Sequence, residues 1–135
     1  MQNTDNRTAT YKLFLWVYAL FYVFAGLNHF ISTSAYYVIM PEWLPAHQFL
    51  IYFSGLLEVI FGLLLLFPAS RKLASVLIIL MLIAFLPAHF YMIEKAPFML
   101  GTIWISKTIS WIRLPFQLIF IGWAWYYLSN GKKVQ

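Results

Sequence analysis

Ser54-Gly55-Leu56-Leu57-Glu58-Val59-Ile60-Phe61-Gly62 sets one carboxylate inside an otherwise apolar segment. From Phe49 to Phe67 the chain carries fourteen Leu, Ile, Phe and Val residues and a single charge. At about −0.3 to −0.6 kcal/mol each, they favour bilayer insertion by roughly −4 to −8 kcal/mol. A central carboxylate costs about 3 kcal/mol on the same scale, so the segment is expected to insert with Glu58 aboard. In hydrocarbon the carboxylate turns toward a neighbouring helix, not toward lipid. At about 100° per residue, Ile51, Ser54, Gly55, Gly62 and Leu65 share its side of a helix. Small residues there let a second backbone come close, so this face is expected to pack.

The rest of the 135 residues has the same character: 63% are hydrophobic and 10% charged. A soluble domain carries about 25% charged residues and cannot hide so much apolar surface. The expected fold class is therefore an all-α integral membrane protein, an antiparallel bundle of four transmembrane helices in one domain, residues 1–135. The net charge of +5 does not point to nucleic acid, because the basic residues stand beside apolar runs, as topology signals and anionic-lipid contacts do. The absence of cysteine removes disulfides, thiol catalysis, thiolate metal ligands and iron–sulfur clusters.

Met1–Thr10 reads as a short polar, frayed tail. The first helix is expected over about 11–31. Its apolar run exceeds the 7–15 residues of a signal-peptide core and is long enough to span a bilayer. Residues 32–48 lack Lys and Arg, and Pro41 and Pro45 deny them a continuous helix. Trp43, Tyr36 and Tyr37 suit a headgroup layer. The second helix, 48–67, holds Glu58, and a tight basic turn makes it an antiparallel neighbour of the third, 73–93. Pro87 is expected to kink the third helix just before His89. Residues 94–107 read as an interfacial segment, and the fourth helix covers 108–128 with an aromatic belt at its far end. One side of the membrane collects Arg7, Lys12, Arg71, Lys72, Lys132 and Lys133, and the other only Lys95 and Lys107. That asymmetry places both termini in the cytoplasm.

With this orientation the polar groups converge in the outer half of the bundle, while the inner half stays almost wholly apolar. His29 and His89 lie near the outer ends of helices one and three. Arg113 opens helix four, and Gln117 follows one turn deeper on the same face. Glu58 lies about ten residues, or roughly 15 Å, from the outer end of helix two, near the depth of Gln117. Asn28 adds a further polar group beside His29. One reading of this cluster is an ion pair between Glu58 and Arg113, steadied by Gln117 and capped by the histidines, that only fixes helix register. The other is a pocket for a small polar or amphipathic molecule. Two histidines and a carboxylate would suit zinc or iron, but none has an i,i+4 ligand partner and Arg113 would repel a cation, so no metal is expected.

Five ordered motifs add a resemblance. Gly26-Leu-Asn-His29-Phe, Met40-Pro-Glu-Trp-Leu-Pro45, Ser54 to Gly62, Ala84-Phe-Leu-Pro87-Ala-His89 and Arg113-Leu-Pro115-Phe-Gln117 together resemble the DoxX-like membrane proteins. The resemblance covers all four helices and implies a four-helix bundle in a bacterial cytoplasmic membrane. In many relatives an asparagine stands where this chain has His89. Some relatives are subunits of oxidoreductase systems that pass electrons from sulfur compounds toward quinone, and an animal branch assists assembly of acetylcholine receptors. Two functions are thereby expected as alternatives. One is an accessory subunit of a membrane oxidoreductase that binds a quinone or similar ligand, with His29 and Glu58 exchanging protons and Arg113 and Gln117 holding oxygens. The other is a non-catalytic assembly factor with a structural polar network. No flavin, haem or nicotinamide motif is present, so a redox cofactor other than quinone would come from a partner. The expected partners are the lipid bilayer and a membrane or oxidoreductase protein, with homo-oligomerisation open. A transporter would need that oligomer, since four helices without a repeat give it little room.

Overall fold

A computed structural model describes the backbone of residues 2–130 and the side chains of residues 8–130. The chain is mostly helical: α1 (Gln2–Ile31), α2 (Thr33–Ile39), α3 (His47–Leu66), α4 (Arg71–Ala84), α5 (Leu86–Lys95) and α6 (Lys107–Asn130), with strands β1 (Phe98–Leu100) and β2 (Ile103–Ile105) ahead of α6. Three stretches are long and apolar enough to cross a membrane: Thr8–Ile31, His47–Leu66 and Arg71–Lys95. The 24-residue α6 matches them in length. It is not among the three, because its Arg113, Gln117, Trp and Tyr residues lower its hydropathy. Lys132 and Lys133, used above for orientation, lie outside the described residues, as does the side chain of Arg7.

Helix α1 starts at Gln2, so the expected frayed tail is helical. One stripe of α1 is buried: Tyr11, Leu15, Tyr18, Ala19, Tyr22, Gly26 and His29, the repeat of three and four residues that puts side chains on one face. It meets the α3 face of Ile51, Gly55, Glu58, Gly62 and Leu65. The glycines decide how close the helices come. A Cβ on Gly55 would sit 2.6 Å from His29 Cβ and 2.8 Å from the Gly26 carbonyl oxygen, and one on Gly62 would sit 2.8 Å from the Ala19 carbonyl oxygen. Gly26 faces Gly55 and Ala19 faces Gly62, so the two helices run in opposite directions.

The turn from α3 to α4 closes its own carbonyls. Ser70 Oγ donates to the Leu64 carbonyl (2.8 Å), while Arg71 Nε and Nη2 donate to those of Leu65 (2.9 Å) and Leu66 (3.3 Å). Arg71, read from the sequence as part of a basic turn and a topology signal, is buried, with its guanidinium over the Tyr11 ring. The third expected helix is broken in two. Pro87 has no N–H for the Ile83 carbonyl and its ring crowds that oxygen, so the chain turns at Phe85, earlier than expected. Before the turn α4 packs on α3 and α6, and beyond it α5 packs on α6 and α2.

Two further elements depart from the expectations. The proline-bearing loop contains α2, which packs on both α3 and α5. Residues 98–105 form a β-hairpin that pairs Phe98 with Ile105 and Leu100 with Ile103. Its two-residue turn places Gly101 at φ 62°, where a side chain is strained. The half of the molecule away from His29 is also less apolar than expected. There Tyr18 donates to the Phe120 carbonyl (2.7 Å) and meets the Tyr22 hydroxyl (3.2 Å), and its ring stacks on Trp123 at 4.5 Å. Tyr127 is fully buried beside Tyr11, whereas Trp125 and Tyr126 of the expected belt face outward.

The glycine contacts predict a contrast. Gly55→Ala forces His29 or the Gly26 backbone to move and should destabilise the purified protein by about 1–3 kcal/mol. Gly122 on α6 has nothing within 4 Å of an added Cβ. Gly122→Ala should therefore be neutral or stabilising, by up to about 1 kcal/mol from helix propensity. Thermal unfolding in detergent measures both, and equal effects would contradict the close approach.

Candidate functional site

One turn of α1 and two turns of α3 build the centre of the site. The glycine contact brings the α1 backbone close enough for His29 to lie across the α3 face. His29 Nε2 is 3.5 Å from Glu58 Oε1, and both residues are only 6% exposed. On the other side of the ring, His29 Nδ1 is 2.9 Å from the Ile51 carbonyl oxygen and 3.1 Å from Ser54 Oγ. Ser54 Oγ also donates to the Ile51 carbonyl (3.0 Å). With the Nδ1 hydrogen directed at the Ile51 carbonyl, Nε2 is the ring nitrogen that faces Glu58 Oε1.

The remaining residues come from the other helices. Tyr36 of α2 lies over His29, ring centroids 3.8 Å apart, and accepts a hydrogen bond from Asn28 Nδ2 (3.1 Å). Asn28 Oδ1 in turn accepts from Ser32 Oγ (3.1 Å). Tyr36 is within electrostatic reach of both Glu58 and Arg113, and burial raises its phenol pKa above the ordinary range, so it stays a neutral donor. Gln117 Nε2 donates to the Leu82 carbonyl, one turn before the break at Phe85. His89, on the first turn of α5, stands near both Arg113 and Gln117.

These residues surround a cavity of about 940 Å³ between α1, α3, α4–α5 and α6. His29, Glu58, His89, Arg113, Gln117 and Asn28, the six residues singled out in the sequence, all line it. Two of the lining residues, Glu58 and His89, each hold one buried atom, Oε2 and Nδ1 respectively, that has no hydrogen-bond partner among the described residues. The rest of the wall is largely apolar, with Leu57, Phe61, Met81 and Phe120 among its residues. No group of three His, Asp or Glu side chains gathers among the described residues.

The pairing inside the cluster differs from the one that the register-fixing reading drew. Among the described residues the ion-pair partner of Glu58 is His29, not Arg113. Depth along the bundle set Glu58 level with Gln117 and one turn below Arg113 on α6, but α1, not α6, is the helix packed on the Glu58 face. Tyr36 and Ser54 are functional candidates that the expected site did not include. Ser54 carried a signal, since it shares a helix face with Glu58. Tyr36 had none beyond its distance of seven residues from His29, and it turns inward where a headgroup position was expected. In a double-mutant cycle on unfolding, His29→Ala and Glu58→Ala should couple by about 0.5–3 kcal/mol, whereas Glu58→Ala and Arg113→Ala should add within about 0.5 kcal/mol. The opposite pattern would restore the Glu58–Arg113 pair.

Comparison with known proteins gives a family without an activity. No curated protein and no solved structure matches the chain. A family model described as a domain of unknown function, DUF8561, matches residues 18–128, from the Tyr18 end of α1 to the last turns of α6. The chain belongs to this DUF8561 family.

Proposed function

We propose that the protein is an integral membrane protein whose cavity receives a small amphipathic ligand, with a quinone as the first candidate. In this reading α1, α3, α4–α5 and α6 cross the bilayer as an antiparallel four-helix bundle. The observation that carries the ligand is that Glu58 and His89, which both line one large, mostly apolar cavity, each keep a buried atom, Oε2 and Nδ1, without a partner among the described residues. A buried polar group without a partner costs about 1–3 kcal/mol, and a molecule in the cavity to which the two side chains turn would recover that cost at both. The His29–Glu58 pair can hold or pass a proton at Nε2, and Arg113 supplies a positive donor for a carbonyl or phenolate oxygen. The DoxX-like motifs support placing such a protein as an accessory subunit of a membrane oxidoreductase system.

Bilayer insertion is supported by the outward surfaces. Leu13, Phe14, Phe24, Leu80, Leu118 and Ile119 are all more than half exposed, and such a surface is stable against lipid, not water. The count of basic residues supports an orientation with both termini inside, and a bacterial cytoplasmic membrane is what the DoxX-like resemblance implies.

A second reading has its own observation. Both ring nitrogens of His29 already have protein neighbours, and Gln117 directs one of its two amide hydrogens at the Leu82 carbonyl. These contacts tie helices together, as they would in a non-catalytic assembly factor.

Ligand-induced thermal stabilisation separates the two. A short-chain quinone added to the purified protein should raise its unfolding temperature, and Glu58→Gln or His89→Phe should remove that rise. An unchanged rise in both variants, or none in the original protein, would favour the structural reading. Topology is tested by cysteines at Ser34 and Ala69, both exposed. An impermeant thiol reagent on intact cells should label the first and reach the second only after lysis. The reverse would invert the orientation.

A further inference from the structure

The cavity is larger than its polar cluster needs, and its apolar part is not closed. Polar groups gather where α1, α2, α5 and the start of α6 meet. From there the wall continues along α3 and α4 through Leu57, Phe61, Leu77 and Met81. Along α3 the lining residues Leu50, Phe53 or Ser54, Leu57 and Phe61 repeat every three or four positions, as one face of a helix does. Two edges of this face reach the outside. On the edge between α1 and α6, Phe21 stacks on Phe120 with centroids 4.7 Å apart, and the two rings fill the gap. On the edge between α3 and α4–α5 no such pair stands. Phe53 is 46% and Leu80 57% exposed, and Ala84 and Pro87 are exposed as well, yet all four also line the cavity.

The cause is the break at Phe85. Both halves of the segment pack on α6, but α4 also packs on α3 whereas α5 packs on α2. The second half thus keeps α6 and leaves α3, and the face of α3 beside Phe53 loses its partner at the level of Ala84. The small side chain of Ala84 keeps that place narrow in bulk. Farther out, α2 bridges α3 and α5 and covers the end of the cleft. What remains is a sideways opening at the depth of the cavity, rimmed by apolar side chains.

Resting on the reading of the cavity as a ligand site, we infer that its ligand carries a linear hydrocarbon tail that leaves the cavity sideways between α3 and α5, over Ala84, Leu80 and Phe53. The oxygen-bearing head lies among His29, Glu58, His89 and Arg113, and the tail runs out to the lipid. The shared chemistry is a polar head on a single apolar chain, supplied either by a prenyl-type quinone or by an acyl lipid. A tail in this opening stays in contact with apolar surface along its length, so the ligand enters from the bilayer without crossing water.

The test compares two probes on the full-length protein in nanodiscs: a benzoquinone without a tail and the same ring with a decyl tail, each titrated against thermal stability. Decanoic acid is the acyl arm. Ala84→Trp puts a large ring into the opening, and Leu80→Trp repeats the change on the rim should the first variant fold poorly. Leu118→Trp, on the exposed face of α6, is the control. The reading is the ratio of half-saturating concentrations for the tailed and tail-less probes. Either rim variant should raise that ratio by about tenfold or more, the loss of roughly two buried methylenes, with the control unchanged. Stabilisation by decanoic acid instead of the tailed quinone, with the same sensitivity to Ala84→Trp, assigns the acyl source and keeps the sideways exit. An unchanged ratio in both rim variants overturns the exit while leaving the cavity as a ligand site. Absence of stabilisation by all three probes overturns both.

Discussion

Everything in the site depends on two backbones touching. Where Gly26 of α1 meets Gly55 of α3, no Cβ separates the helices, and the imidazole of His29 is laid against the next turns of α3. A wider spacing by even one methyl group would move the ring away from Glu58, Ser54 and the Ile51 carbonyl together. The polar pair does not draw the helices together by itself. A desolvated carboxylate and imidazole roughly break even in free energy. Close packing of small residues brings the helices in, and the polar contacts then fix their rotation and register.

The second constraint is an imbalance introduced by Pro87. A regular helix from Arg71 to Lys95 would lie along one groove. Without the Pro87 N–H it divides at Phe85: both parts keep α6 as a neighbour, but the first also packs on α3 and the second on α2. The cavity fills the space this leaves, and Gln117 takes up the Leu82 carbonyl at its edge. The break therefore both makes the room and sets His89 at its wall.

Periodic features were legible in the sequence and lateral ones were not. The face of α3 around Glu58 follows from spacing alone, because residues three, four and seven apart must share a side of a helix. The gathering of His29, His89, Arg113 and Gln117 at one end follows from counting rise per residue. Such counting gives depth but not direction around the bundle, which is why Arg113 was matched to Glu58 when His29 stands there. Tyr36 lies in a seven-residue helix between a bend and a proline, too short for a pattern to reveal. The hairpin is equally short: three residues on each side of Gly101-Thr102 carry too little alternation to be distinguished from an interfacial loop. Arg71 looked like an ordinary basic turn residue, since its value to the fold lies in carbonyls five and six positions earlier.

Arg71 has a consequence for how the chain is made. The α3–α4 hairpin satisfies its turn from within, through Ser70 and Arg71, and asks nothing of residues synthesised later. Its α1 partner already precedes it. The Leu82 carbonyl, already held by the Phe85 N–H (3.2 Å), gains its second donor, Gln117, only with α6, which also brings the last wall of the cavity. Until α6 is made, the side of the cleft that it will wall stays open, and the final helix narrows that cleft to the sideways opening between α3 and α5.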